Sequence, residues 1–218
     1  MKSIIPILAL LASAAPSGAA IIITEVMSSS LHPSGGSNNG DWFEITNTGN
    51  SSINVTGWSW DDSSKAPGSS NFGTLTVIAA GQSVIISEEP IASESTWLGD
   101  WALSGVVVST IGGASFQGLG AGGDEVNIYD DTGALVTRVT FGTATGGASF
   151  EWDTAGNPLG TSVIGENGAF RAASDGFGGA GQDVGSPGYA LVPEPGYAGL
   201  TFLGVISLLA RRKCPPSP

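Results

Sequence analysis

Short runs in which apolar residues alternate with polar ones recur between residues 21 and 171, each bounded by glycine or by clusters of Asn, Asp and Ser. A period of two, interrupted by turn residues roughly every eight to twelve positions, is the signature of many short strands. The pattern predicts strands over Ile21–Met27, Trp42–Asn47, Ser52–Trp60, Leu75–Ile78, Ser83–Ser87, Val106–Ser109, Glu125–Tyr129, Leu135–Phe141, Ser149–Trp152 and Ala169–Arg171. No stretch of this body carries helical periodicity, so no helix is expected in it. Two hairpins are suggested: Trp42–Asn47 with Ile53–Trp58 across a Gly-Asn turn, and Val126–Tyr129 with Leu135–Phe141 across Asp130-Asp131-Thr132-Gly133. Many short strands with one apolar face are best buried as two sheets packed face to face. The expected core is Phe43, Ile45, Val55, Trp58, Val126, Ile128, Val139 and Phe141.

The pattern changes at both ends. Lys2, the apolar run Ile4 to Ala15 and the small residues Ser17 to Ala20 describe a secretory signal peptide over residues 1–20, with cleavage after Ala20. An uncleaved anchor is the alternative. Towards the other end, Val192-Pro193-Glu194-Pro195 precedes an uncharged, mostly apolar run from Gly196 to Ala210 and then Arg211, Arg212 and Lys213. The prolines interrupt whatever comes before, and the run is read as a single transmembrane helix closed by stop cations on the cytoplasmic side. At about 1.5 Å per residue it spans about 22 Å, so it suits a short or thin crossing. The expected organisation is therefore a signal peptide (1–20), one β domain (21–189), a linker (190–195), a membrane helix (196–210) and a basic tail (211–218).

This C-terminal arrangement resembles the PEP-CTERM sorting signal of Gram-negative bacteria. The resemblance implies recognition of Pro193, Glu194 and Pro195 by an exosortase-type membrane protease, removal of the helix, and display at the cell surface or in extracellular polymer. A plain membrane anchor behind a Pro-rich linker is the competing reading. The single cysteine, Cys214, lies beyond the cations, so the exported part has no disulfide to draw on.

Charge narrows the partners. Eighteen acids against Lys65, Arg138 and Arg171 leave the stretch from Ile21 to Val192 with a formal charge near −15. Such a surface repels phosphate backbones, which excludes nucleic acid as a partner.

A second resemblance covers the body. Ile23-Thr24-Glu25-Val26, Asp41-Trp42-Phe43-Glu44-Ile45-Thr46-Asn47 and Ile53-Asn54-Val55-Thr56-Gly57-Trp58 are similar to the lamin-tail domain. So are Leu119 with Gly122-Gly123-Asp124-Glu125-Val126, the Tyr129-Asp130-Asp131-Thr132-Gly133 turn, and Ser186-Pro187-Gly188-Tyr189. The resemblance implies an all-β, immunoglobulin-like two-sheet β-sandwich without catalytic residues. Between Glu88 and Gly118 the chain departs from that pattern with an insertion holding Trp97 and Trp101.

Candidate chemistry is sparse. His32, the one histidine, sits in a Ser/Pro/Gly segment from Ser28 to Gly40 and is read as a solvated loop residue rather than a catalytic base. With one His and no exported Cys, a zinc site lacks ligands, and no cofactor is expected. Gly118 to Asp124 is read as a loop leading into a strand, because a phosphate loop needs a helix after it. Asp61, Asp62, Glu88, Glu89, Asp124, Glu125, Asp130, Asp131, Glu151 and Asp153 are the carboxylates from which a glycosidase pair or a Ca²⁺ site would be drawn, though most fall where turns favour Asp. Of the six tryptophans, Trp97 and Trp101 are the candidate ligand contacts. The first reading is thus a non-enzymatic surface or matrix protein whose partners are other surface proteins or extracellular polysaccharide. The alternatives are a carbohydrate-binding module and, behind it, a secreted glycosidase.

Overall fold

The computed structural model describes residues 20–32, 40–174 and 181–190. The signal peptide up to residue 19, the sorting motif Pro193, Glu194 and Pro195, the run 196–210 and the cations Arg211, Arg212 and Lys213 lie outside the described residues. Among the described residues no helix is long and apolar enough to cross a membrane.

In chain order the elements are β1 (Ile21–Met27), β2 (Trp42–Asn47), β3 (Ile53–Asn54), β4 (Ser59–Asp61), β5 (Ser70–Asn71), β6 (Val77–Ile78), β7 (Ser83–Ser87) and α1 (Glu94–Asp100). They continue with β8 (Val107–Thr110), β9 (Asp124–Tyr129), β10 (Leu135–Phe141), β11 (Phe150–Trp152), β12 (Pro158–Thr161), β13 (Phe170–Arg171) and β14 (Val184–Gly185). A main sheet runs β12-β11-β1-β2-β7-β8, and a second runs β10-β9-β4-β5. Phe43, Ile45, Val84 and Ile86 from the main sheet and Trp60, Val126, Ile128 and Phe141 from the second share one buried cluster, which makes this an all-β sandwich. At its centre Phe43 meets Trp60 edge-on with ring centroids 4.8 Å apart, and Phe116 packs against both.

Six of the eight expected core residues are buried. Trp58 and Val139 are half-buried and lean against the cluster from its margin. The β9–β10 hairpin forms as expected: Asp130 accepts from the Thr132 and Ala134 amides, and Gly133 takes φ +82, which glycine adopts without steric cost.

The other expected hairpin does not form. β2 pairs with β1 and β7, whereas β3 pairs with β6. Asn47 sends the chain away from its own sheet, its amide donating to the Ser51, Ile78 and Ala79 carbonyls while its side-chain oxygen accepts from Gly49. A turn closed by the Trp58 amide on the Val55 carbonyl then divides the expected strand Ser52–Trp60 into β3 and β4, and β4 joins the opposite sheet. The crossing between sheets is what looked like a hairpin.

The main sheet is also buried on both faces. All six residues of β2 are buried, including Trp42, Glu44 and Thr46, whose side chains point away from the sandwich core. The insertion supplies part of the cover. It forms α1, a helix the alternation pattern did not predict, and packs Trp97 and Trp101 against Trp42 with centroids 5.8 and 5.6 Å apart, beside Met27 and Ile85. Seven residues are too few for a periodic signal, and such a helix is stable only through the face it docks.

Replacing Phe43 with Ala is expected to lower unfolding free energy by about 3–5 kcal/mol, as for a large aromatic deleted from a close-packed core. Denaturant unfolding checks this, and a loss below about 1 kcal/mol would contradict the shared core.

Candidate functional site

The polar part of the outer face is built from three carboxylates in a row. Glu44 on β2 and Glu151 on β11 are the cross-strand partners of Glu25 on β1, the strand between them. A register shift between Ile23 and Glu25 marks a β-bulge, which lets Thr24 and Glu25 both bond groups on this outer face. None of the three acids has a salt-bridge partner among the described residues, yet each is almost fully buried.

Neutral donors hold them instead. Glu151 accepts from the Ser162 hydroxyl at 2.9 Å and the Asn167 amide at 3.1 Å. Glu25 accepts from the Ser149 hydroxyl, the Ser186 amide at 2.7 Å and the Ser186 hydroxyl at 3.3 Å. Glu44 accepts from the Thr24 hydroxyl and the Gly188 amide, both at 2.5 Å. Much of the cover therefore comes from the strap of residues 181–190, which docks alongside β11 through the Val184 amide on Gly147.

The strap's Ser186-Pro187-Gly188-Tyr189 is a tight turn closed by the Tyr189 amide on the Ser186 carbonyl at 2.9 Å. Proline in its second position and glycine at φ +82 in its third are the residues a type II turn requires. A Cβ on Gly188 would also lie 2.6 Å from Val106 Cγ2, so glycine is needed there for space as well as conformation.

A second cluster lies at the other end of the main sheet. His32 is not solvated: its Nδ1 ion-pairs with Glu89 at 3.1 Å, outside hydrogen-bond geometry, and its Nε2 meets Asp100 of α1 at 3.0 Å. The expected loose loop is fixed at this point because Glu89, just after β7, and Asp100 of α1 converge on the ring. Asp41 accepts from the Ser30 amide and donates its own amide to Glu88, while Asp183 of the strap accepts from the Ser30 hydroxyl and the Leu31 amide.

Burial dominates the electrostatics. It pushes Asp41 up to about 7 against the opposing Ser30 amide. It pushes Glu44 up to about 7 despite the Thr24 and Gly188 donors. Burial, reinforced by the charge of Glu44, holds Glu25 well above the usual carboxylate range. The Glu89 carboxylate raises His32 above 6.5 against the opposing effect of burial, with Asp100 adding to the rise.

The remaining candidate acids serve the backbone. Asp61 accepts from Ser64 and the Ala66 amide, Asp62 from the Ser64 amide, Asp124 from the Gly120 and Ser63 amides, and Asp153 from the Ala155 and Asn157 amides. Glu125 pairs with Lys65 at 3.0 Å, and Asp131 is exposed beside Gly57. Among the described residues no three His, Cys, Asp or Glu side chains are arranged to hold a metal ion. The glycine-rich segment leads into strand β9, with no helix after it.

Trp97 and Trp101, the candidate ligand contacts, are 3% and 4% exposed and spend their ring surfaces on Trp42 and Phe170. They offer no face to a sugar and are corrected to covering residues. Ala20, the expected cleavage position, is exposed, and its carbonyl accepts from the Thr48 amide at 2.9 Å directly before β1 begins. Sequence reasoning missed the acid row and the His32 clamp. A signal existed for the row: Glu25 and Glu44 sit inside strongly apolar strands, and Glu44 shares parity with Trp42 and Thr46.

One family model matches the sequence of the chain. The family model described as Lamin Tail Domain matches residues 14–143, which is more than half of the chain. No curated protein matches the chain.

The raised groups give stability a definite pH dependence. Asp41 and Glu44 hold their protons to about 7 when folded but to only 3.8 and 4.5 when unfolded. The folded chain binds more protons across that window, so their contribution is full below the unfolded values and is lost as pH rises towards about 7. His32 has the same sign, contributing fully below 6.5 and losing that contribution as pH rises through its folded value. Glu125 and Asp130, lowered by Lys65 and Thr132, act oppositely but only below their ordinary 4.5 and 3.8. Tm is therefore expected to fall between about pH 5 and about pH 8, and Asp41→Asn with Glu44→Gln to flatten the decline. Scanning calorimetry across the interval checks it, and a Tm that rises with pH would contradict the buried acids.

Proposed function

Because the chain belongs to the lamin tail domain family, we propose that it is an exported, non-enzymatic surface or matrix protein whose sandwich serves as a structural and interaction module. The family is immunoglobulin-like and non-catalytic, which is compatible with a body that runs no reaction. The observation that carries the reading is how the body uses its polar side chains. Among the described residues the histidine, the buried acids of the row and the turn carboxylates Asp61, Asp62, Asp124, Asp130 and Asp153 are engaged with neighbouring groups, so a reactant would compete with the structure for each of them. A nucleophile with a positioned base and a free approach is the usual minimum for hydrolysis.

The destination rests on the sequence of the two ends. Residues 1–20 carry the features of a secretory signal, and Pro193, Glu194 and Pro195 followed by the apolar run and Arg211, Arg212 and Lys213 carry those of an exosortase substrate. In this reading the chain is held in the membrane by its C-terminal helix until the protease removes it, and the body then stays at the cell surface or in the matrix. The formal charge near −15 suits a module that remains soluble in a crowded layer.

Deleting Pro193–Pro195 is expected to block processing, leaving a heavier product in the membrane fraction of the producing cells. Fractionation with mass measurement checks it; a product of unchanged mass and location would overturn the sorting reading.

A further inference from the structure

A groove of about 420 Å³ opens beside the strap, between the end of β2, the start of β7 and the turn after β11. Thr48, Gly81, Ser83, Thr154 and Tyr189 line it, together with backbone, and no charged side chain does. We infer that this groove is a binding site for a neutral polysaccharide, with Tyr189 as its stacking surface. The inference deepens the surface-display reading by naming a partner, and rests on that reading for the encounter with extracellular polymer.

Each part of the lining suits a sugar. Tyr189 is 51% exposed, while Trp97 and Trp101 are sealed in the cover. Its ring rests against Gly168 on one side, where a Cβ would fall 2.5 Å from Cδ1, so the ring has a support and cannot swing that way. The turn beneath it is anchored through Gly188 to Glu44, so the ring sits on a preformed base. An aromatic ring held in this way offers the C–H face of a pyranose a large apolar contact at little entropic cost.

The polar groups complete the match. The hydroxyls of Thr154 and Tyr189 have no hydrogen-bond partner among the described residues, and the Thr48 hydroxyl makes only a 3.2 Å bond to the Ala20 carbonyl. Hydroxyls both donate and accept, as the hydroxyls of a sugar do. The volume lies within the range of small-ligand sites.

Charge argues against ionic ligands. An anionic polymer would approach a body of formal charge near −15 with no cation in the groove. A cation would find no carboxylate lining it. Glu44 lies below the surface, fully buried and bonded to Thr24 and Gly188. An uncharged, hydroxyl-rich chain is what this lining matches.

Affinity electrophoresis of the full-length chain through gels containing a soluble neutral glucan, a galactomannan or the polyanion alginate tests this. Retardation is expected with a neutral polymer and not with alginate. Tyr189→Ala is expected to weaken it about tenfold and Tyr189→Phe much less, while Thr154→Ala, which removes no bond within the described residues, costs about threefold. Should Tyr189→Ala unfold the strap, Thr154→Ala still decides. No retardation by either neutral polymer, retardation by alginate alone, or retardation indifferent to both Tyr189→Ala and Thr154→Ala would overturn the site. Binding can fail in this assay while processing of the tail proceeds normally, so the two readings fail separately.

Discussion

The structure depends on covering the second face of its main sheet. A sandwich needs only one apolar face per sheet, but β1 and β2 carry residues on the far side that cannot be left as they are: Trp42 and Met27 because they are apolar, Glu25 and Glu44 because they are closely spaced acids with little access to water. Two covers solve the two problems. The insertion helix brings indole rings to the apolar half, and the strap brings amides and hydroxyls to the acidic half. Buried polar groups are tolerable only when they are hydrogen-bonded, so the strap is as much a part of the fold as any central strand.

That division explains which features were legible in the sequence. β1, β2, β7 and β10 have the boundaries expected of them because hydrophobic periodicity directly reports burial of an inner face. The β9–β10 turn was legible too, since Asp130 and Gly133 have local reasons to be there. The pairing of Trp42–Asn47 was misjudged because alternation says that a strand is half-buried and nothing about its neighbour. Asn47, whose side chain bonds four backbone groups beyond the strand, is what redirects the chain.

The site was less legible for the same physical reason. His32 lies in a segment whose composition is that of a loop, and the carboxylates that grip it come from residues 57 and 68 positions further along. Only the folded chain brings them together. Trp97 and Trp101 looked available because an insertion commonly lies outside a core, yet the outer face of β2 presented Trp42 to receive them. Short β5, β12 and β14 went unseen because pairing rather than side-chain pattern defines them. The four exposed residues of β12 carry no burial signal at all.

Thr48 accommodates both margins of the domain. Its backbone amide meets the Ala20 carbonyl, and its side chain lines the same groove as Ala190. The entrance and the exit of the body thus share a corner, next to the Ile21–Asn47 end of the β1–β2 pair, whereas Met27 and Trp42 mark the opposite end. A tether drawn from Ala190 would suspend the domain like a bell from its crown, with the His32 cluster, beside Asp41 and the Met27–Trp42 end, towards the rim.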